Sequence, residues 1–146
     1  MKSLLSITLF FLAINFSQAQ TSSSEGVKKA CMNYIEGFYE GDVSKLEASL
    51  QPSLNKFGFW KNKETGTYEQ QKPMSYNAAL SYAKDVLEKK HFPKSDAPKK
   101  VEVLDVGKSI ASAKVTAWWG IDYILLSKRG DKWMIEQVLW EGPFEN

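Results

Sequence analysis

The chain has 146 residues, of which 43% are hydrophobic and 25% are charged, and its formal net charge is +2. This length and apolar content predict one globular domain with its own core, and they exclude a disordered chain. So small a net charge argues against nucleic acid as a partner. The one cysteine, Cys31, excludes an internal disulfide, and with one histidine, His91, it leaves no ligand set for zinc.

Residues 1–19 have the pattern of a signal peptide. A positive start is followed by a mostly apolar run at 4–16 and by a small-x-small cleavage pattern at 17–19. The run is too short to span a bilayer comfortably, so an uncleaved membrane anchor is the lesser alternative. We therefore expect export to the periplasm or the medium, a flexible segment at 20–24, a single domain at 25–146, and no membrane span after cleavage.

The first helix of the mature chain is predicted from apolar residues that recur at three- and four-residue steps. Ser22 and Glu25 form a capping box at its start, and Gly41 ends it. The cysteine lies on its apolar face, where a thiol behaves as a small hydrophobe of the core. That face contains Val27, Ala30, Cys31, Tyr34, Ile35 and Phe38.

A short second helix follows, capped by Asp42 and ended by Pro52. Two short strands are predicted at 57–60 and 67–71, joined by a polar loop. Ser75 then caps a third helix. The apolar face of this third helix contains Tyr76, Ala79, Leu80, Ala83 and Leu87.

After a linker at 91–100, residues 101–140 are predicted to form an antiparallel meander of strands. Two-residue loops at Trp119-Gly120 and Gly130-Asp131 set its register, and the register decides the face on which each side chain lies. Helices gathered early and strands gathered late indicate an α+β domain, with helices packed on one face of the sheet. The predicted pairs are Leu126 with Ile135, Ile124 with Gln137, Asp122 with Leu139, Ala117 with Asp122, Val115 with Ile124, and Ala113 with Leu126.

This register places Asp122 and Gln137 on a small apolar inner face. A carboxylate in such surroundings indicates a pocket and is suited to accept a proton, with Tyr34 on the facing helix as its partner. Two alternatives stay open: contact with a ligand without chemistry, and a structural carboxylate bonded to Tyr34 or to backbone amides.

The same register turns a set of large apolar residues outward. So much aromatic surface predicts a homodimer that packs sheet against sheet. The alternative is that the C-terminal tail folds back and covers the surface with Phe144. The outward residues are Trp118, Ile121, Tyr123, Leu125, Val138 and Trp140.

Four segments resemble the lumazine-binding-like family of the nuclear transport factor 2-like (SnoaL-like) superfamily: NYIEGFYEGD at 33–42, ASAKV at 111–115, DYILL at 122–126 and GDKWMI at 130–135. The resemblance implies a cystatin-like cone, in which helices close a strongly bent antiparallel sheet, often around a cavity and often in a dimer through the sheet. Relatives include ketosteroid isomerases, polyketide cyclases, dehydratases and proteins that only bind or assemble.

We therefore expect an exported, non-catalytic domain that binds a small molecule or serves assembly, without a cofactor or a metal. The alternative is a lyase or isomerase of the polyketide-cyclase or ketosteroid-isomerase type, with Asp122 as general base. In a pure assembly domain, Phe38, Trp60 and Trp133 would fill the cavity. The predicted ligand-binding residues are Tyr34, Phe38, Trp60, Asp122 and Gln137, and the predicted dimer face is Trp118, Tyr123, Val138 and Trp140.

Overall fold

A computed structural model of the protein describes residues 23–143. The expected signal peptide, the capping residue Ser22 and the tail residue Phe144 lie outside the described residues. Helix α1 covers residues 23–40, so it takes in two residues that we expected in a flexible segment. The other elements are helices α2 (Val43–Glu47) and α3 (Tyr76–Lys89), and strands β1 (Leu50–Lys61), β2 (Tyr68–Gln70), β3 (Lys100–Val106), β4 (Ile110–Ala117), β5 (Gly120–Arg129) and β6 (Lys132–Gly142).

This order of elements confirms the predicted succession of helices and strands. Gly41 ends α1 with a φ of +70°, and the side chain of Asp42 caps α2 by accepting from the backbone of Ser44. Ser75 caps α3 as predicted. The buried face of α3 differs in one residue, because Leu87 is 55% exposed and Val86 is buried in its place.

The six strands form one sheet in the order β2-β1-β6-β5-β4-β3. β1 pairs with β6 in parallel, while all other neighbours are antiparallel. The predicted α+β fold is confirmed, and its sheet is bent and mixed, with one parallel pair that the antiparallel prediction lacked. Among residues 23–143, no helix has the length and apolar character needed to cross a membrane.

Strand β1 is the reason for this difference, since it is much longer than the predicted strand at 57–60. It begins at Leu50 and runs through Pro52. The proline lies in the stretch between Leu50 and Asn55 where the pairing with β6 changes register. Proline is tolerated at such irregularities because it cannot donate to a ladder. Taking Pro52 as the end of a helix hid the first half of this strand.

The loop between β4 and β5 is Trp118-Trp119, and not Trp119-Gly120 as predicted. Ala117 pairs with Gly120, and Asp122 pairs with Val115. Gly120 is the first residue of β5, and only glycine fits at this position, because a Cβ there would lie 1.9 Å from the carbonyl oxygen of Glu141. The predicted pairs across this hairpin are thus wrong by two residues. A slip of two keeps each side chain on its face, so Asp122 still points inward.

The hairpin between β5 and β6 starts in the predicted register and then leaves it. Leu126 lies opposite Ile135 as predicted, but beyond that pair the register shifts by one residue. This β-bulge adds one residue, Glu136, and inverts the faces of everything after it. The predictions that Gln137 faces inward and that Val138 and Trp140 face outward are therefore wrong. The partners of Ile124 and Asp122 are Val138 and Trp140.

The core lies between α1 and the inner face of the sheet. The predicted apolar face of α1 is buried, with Cys31, Tyr34 and Ile35 each 0% exposed. Opposite it, Ala113 and Ala117 on β4 present small side chains, which lets the helix approach the sheet closely. One helix face and one sheet face thus enclose the interior of the cone, as an α+β fold requires.

Candidate functional site

A buried carboxylate, Asp122, is held on both of its oxygens. Its side chain is 0% exposed. Oδ2 accepts a hydrogen bond of 2.7 Å from the hydroxyl of Tyr34, and Oδ1 accepts one of 2.8 Å from Nε1 of Trp119. Helix α1 supplies the tyrosine and the β4–β5 loop supplies the tryptophan. The carboxylate is therefore enclosed by its own chain.

Lys56 completes this network from strand β1. Residues of β1 alternate between faces, so Lys56 points inward together with the buried Leu54. Its Nζ donates a hydrogen bond of 2.7 Å to the hydroxyl oxygen of Tyr34 and lies 4.0 Å from Oδ2 of Asp122. The result is a chain of donors that runs from Lys56 through Tyr34 to Asp122, with the lysine side chain only 8% exposed.

Burial and the Asp122 charge shift the acidities around this network. Burial lowers the pKa of Lys56, and the nearby Asp122 charge offsets part of that effect by raising it. Burial first, and then the Asp122 charge and hydrogen bond, raise the pKa of Tyr34 well above its ordinary value. Tyr34 therefore stays protonated and remains a donor to Asp122. Burial also raises the pKa of Cys31 to about 12, and the thiol lies in the core as predicted, with 0% exposure.

Four aromatic rings surround the amine of Lys56. The distances from Nζ to the ring centroids are 5.4 Å for Tyr34, 5.5 Å for Trp140, 5.9 Å for Trp119 and 6.0 Å for Phe38. The faces of such rings attract a cation within this range. They also leave the lysine side chain only 8% exposed, so the amine meets a largely apolar space.

That space is a cavity of about 170 Å³, and Lys56 lies in its lining. Its apolar walls include Phe38, Trp60 and Trp140. Tyr82 and Trp118 also line it and are 41% and 44% exposed, so they mark its mouth. Among the lining residues, all of which belong to the described part of the chain, Lys56 is the charged one.

Two glycines make room for the tryptophans of the wall. Gly58 on β1 pairs with Trp140 on β6, and Trp60 pairs with Gly142. A Cβ at Gly58 would lie 2.4 Å from the ring of Trp140, and one at Gly142 would lie 2.7 Å from the ring of Trp60. Each strand thus has a glycine opposite the tryptophan of the other strand. The two rings meet edge to face with centroids 6.2 Å apart.

The loop that carries Trp119 is fixed to α1 by Tyr39. The hydroxyl of Tyr39 accepts a hydrogen bond of 2.8 Å from the backbone N–H of Trp118 and donates to the carbonyl of Pro98. The ring of Trp119 packs edge to face against Phe38 at 5.8 Å. These contacts hold the Trp119 indole where it can donate to Asp122.

The structure brings together four of the five residues that we predicted to bind a ligand. Phe38 and Trp60 line the cavity, while Tyr34 and Asp122 lie behind Lys56. Gln137 is not with them, since the bulge pairs it with Leu125 on the outer face. Of the predicted dimer face, Trp118 and Tyr123 are exposed, Val138 is 0% exposed and Trp140 lines the cavity.

Sequence reasoning did not find Lys56 and Trp119, and it assigned Trp140 to the dimer face and not to the cavity. A signal for Lys56 is present, because Leu54, Lys56 and Trp60 occupy alternate positions of one strand. A lysine in such a row faces the interior and needs partners there. Within residues 23–143, no group of three or more His, Cys, Asp or Glu residues could hold a metal ion.

Comparison with known structures places this architecture in the nuclear transport factor 2-like class. A nuclear transport factor 2-like protein of unknown function from Silicibacter pomeroyi matches with a TM-score of 0.56 and 15% identity, over 86% of this chain and 96% of that one. A protein of the same description from Shewanella baltica has a TM-score of 0.56 and 18% identity, over 86% and 94% of the two chains. One from Methylobacillus flagellatus has a TM-score of 0.53 and 17% identity, over 80% and 89%.

The family itself follows from the sequence match. The family described as "Putative lumazine-binding" matches residues 22–141, and the chain belongs to that family. This confirms the resemblance drawn from the four segments. No curated protein matches the chain. Identities this low to the solved structures establish the fold alone, and the ligand of the cavity depends on the residues that line it.

Proposed function

We propose that this protein binds a small, largely apolar compound in the cavity above Lys56, with one hydrogen-bond acceptor of the compound held by the Lys56 amine. The observation that carries this proposal is a buried lysine at an aromatic cavity of about 170 Å³. A cavity of about 150 Å³ holds benzene. The size therefore favours a ligand of about one ring with a single polar group.

Lys56, and not Asp122, is the polar contact in this proposal. Both oxygens of Asp122 already accept hydrogen bonds, and its side chain has no exposed surface. A lysine ammonium has three N–H donors, and one of them is used on Tyr34. The remaining donors are available to a carbonyl or carboxylate oxygen in the cavity.

The same geometry bears on the alternative of a lyase or isomerase. A general base must come within hydrogen-bond reach of the proton that it removes. Asp122 lies behind Tyr34, Trp119 and Lys56, so direct proton abstraction by this carboxylate is disfavoured. An assembly domain with a filled cavity is disfavoured too, because Phe38 and Trp60 line open space. Binding, without direct removal of a ligand proton by Asp122, is the function that we propose.

The expected affinity is modest. Burying about 150 Å² of apolar ligand surface gains roughly 4 kcal/mol, and a hydrogen bond to a charged group adds about 1.5–3 kcal/mol. Together these gains correspond to dissociation constants between roughly 100 μM and about 10 μM before the cost of immobilisation is counted. The contribution of Lys56 is therefore a large share of the total.

Two probes test this proposal: benzamide, which carries a carbonyl acceptor, and toluene, which carries none. Tryptophan fluorescence reports binding, because Trp60, Trp119 and Trp140 surround the cavity. Lys56→Met should weaken benzamide binding by roughly tenfold or more and leave toluene binding nearly unchanged. The matched control is Lys128→Met, at an exposed lysine of β5. Equal benzamide affinity in Lys56→Met and the parent protein would refute the contact, and failure of both probes to bind would refute the pocket.

We also propose that the protein forms a homodimer through the outer face of the sheet. Tyr123, Leu125 and Leu139 lie there and are 55%, 53% and 40% exposed. The bulge changes the β6 part of the expected dimer face, because Leu139 points outward there while Val138 and Trp140 do not; Leu125 on β5 points outward as predicted. Such a surface favours burial against a second copy.

Sedimentation velocity tests the dimer with two variants. Leu139→Lys should give a monomer, because it places a charge in the proposed contact. Leu87→Lys, on helix α3 at a side chain that is 55% exposed against 40% for Leu139, should stay dimeric. A monomeric parent protein would disprove the proposal.

Export is proposed from residues 1–19 alone, and N-terminal sequencing of the recovered protein should then begin near Gln20 and not at Met1.

A further inference from the structure

The amine of Lys56 is connected to a proton acceptor by two short hydrogen bonds. Nζ donates to the hydroxyl oxygen of Tyr34 at 2.7 Å, and the same hydroxyl donates to Oδ2 of Asp122 at 2.7 Å. A proton can therefore leave the ammonium for Tyr34 while the tyrosine proton moves to Asp122. The products are a neutral amine and a neutral carboxyl group.

The amine also faces a space where a reactant can meet it. Among the described residues that line the cavity, Lys56 is the one that carries an amine. The walls are aromatic, and its side chain is only 8% exposed. An amine in such a place is shielded from water, which would otherwise hydrolyse a product formed there.

From this geometry we propose that Lys56 is a nucleophilic amine that condenses with the carbonyl group of a small apolar aldehyde or ketone. The inference rests on the proposed ligand pocket and names the class of compound that fills it. The acceptor oxygen of the proposed ligand is then a carbonyl oxygen, and the carbonyl carbon lies next to Nζ.

The reaction balances within the site and the ligand. After its proton has passed through Tyr34 to Asp122, the neutral amine attacks the carbonyl carbon and forms a C–N bond. One of the two remaining N–H protons moves to the carbonyl oxygen, which becomes a hydroxyl group. The second N–H proton and this hydroxyl then leave as water, and a C=N bond remains. Amine and carbonyl compound thus give an imine and water, with no oxidant or reductant.

The acidity of the lysine agrees with this role. Burial lowers the pKa of Lys56, and Asp122 offsets this only in part. A lysine desolvated in an apolar pocket holds more of the neutral, nucleophilic form than an exposed one at the same pH. The exposed lysines of the chain are therefore an internal reference for reactivity.

Reductive trapping of benzaldehyde tests the proposal on the whole protein. Sodium cyanoborohydride converts an imine into a stable benzyl amine, which intact mass and peptide mapping detect. At neutral pH we expect one benzyl group, on Lys56, in the parent protein and in Lys128→Met, and loss of that adduct in Lys56→Met. Mapping of the parent protein is decisive even where a variant folds poorly. Label spread equally over exposed lysines such as Lys128, or absent from Lys56, would overturn the proposal.

Benzamide separates this inference from the proposed function, because it fits the same space and cannot form an imine under these conditions. If benzamide binds and benzaldehyde is not trapped on Lys56, the amine chemistry is wrong and the pocket stands. If neither compound binds, both proposals fall. Tyr34→Phe interrupts the proton relay and should trap less benzaldehyde in the same time. Equal trapping by Tyr34→Phe would overturn the relay.

Discussion

The hydroxyl of Tyr34 is the atom on which the buried polar chain depends, and Tyr34→Phe removes it alone. Tyr34 is 0% exposed. Its hydroxyl makes one hydrogen bond to Asp122 and receives one from Lys56, each 2.7 Å long. Phenylalanine fills nearly the same volume, so the cavity term of a large-to-small substitution is small. The change therefore measures the two bonds.

The expected loss follows from the charge of the partners. A hydrogen bond to a charged group contributes about 1.5–3 kcal/mol, so losing both gives an upper bound of roughly 3–6 kcal/mol. Part of this is recoverable, because Nζ of Lys56 lies 4.0 Å from Oδ2 of Asp122. A movement of about 1 Å would form a direct hydrogen bond between them. We therefore expect Tyr34→Phe to lower the free energy of unfolding by about 2–4 kcal/mol.

Urea unfolding followed by tryptophan fluorescence measures this loss as a lower midpoint with an unchanged slope. Tyr68→Phe is the matched control, since it removes the same atom from a side chain that is 42% exposed and lies outside the proposed dimer face. It should change the free energy of unfolding by less than about 0.5 kcal/mol. If the two variants unfold within about 0.5 kcal/mol of each other, the buried chain gives no net stability and the reasoning fails.

Three further predictions concern Lys56, Cys31 and Gly58. Because burial lowers the pKa of Lys56, the unfolded chain binds more protons there than the folded chain over a window below the ordinary lysine pKa of about 10.4. The free energy of unfolding should therefore rise with pH in that window, and urea titrations of Lys56→Met should lack this rise. With its pKa raised to about 12 and no exposure, Cys31 should resist iodoacetamide at pH 8 and react in urea, as mass spectrometry would show; reaction in the native protein would contradict its burial. Gly58→Ala should cost at least about 1–3 kcal/mol in urea unfolding and weaken benzamide binding, because its Cβ would lie 2.2 Å from the carbonyl oxygen of Trp140 and 2.4 Å from the ring of that residue. Gly107→Ala, with its nearest contact at 3.2 Å, should do neither.

Periodicity and caps were sufficient for the helices and for the order of the elements. The stripe through Cys31, Tyr34 and Ile35 needs only the geometry of a helix, and it is buried as expected. Asp42 and Ser75 cap helices because their side chains accept from nearby backbone N–H groups. These are local interactions, and local sequence carries them.

Pairing between strands that are distant in the sequence was harder to predict. The parallel contact of β1 with β6 joins residues about eighty positions apart, such as Gly58 and Trp140, and no turn signal connects them. No glycine marks the bulge at Glu136 in the sequence. The Glu136 carboxylate accepts hydrogen bonds from Ser127 and Arg129 across the hairpin. One extra residue there inverted the predicted faces of Gln137 and Val138.

The bulge and the parallel pairing are together what make the site. Without the bulge, Trp140 would point to the outer face and the cavity would lose one wall. Without the parallel pairing, Gly58 would not lie beneath Trp140, and Lys56 would lack one of the rings that shield its amine. Sequence reasoning found Asp122 because a slip of two residues preserves the face, and it missed Lys56 because a proline concealed its strand. The sequence therefore predicted Asp122 without its partner Lys56, and Lys56 is the charged residue that lines the cavity. For this reason a substitution at Lys56 tests the ligand site directly, while one at Asp122 tests it only through Tyr34.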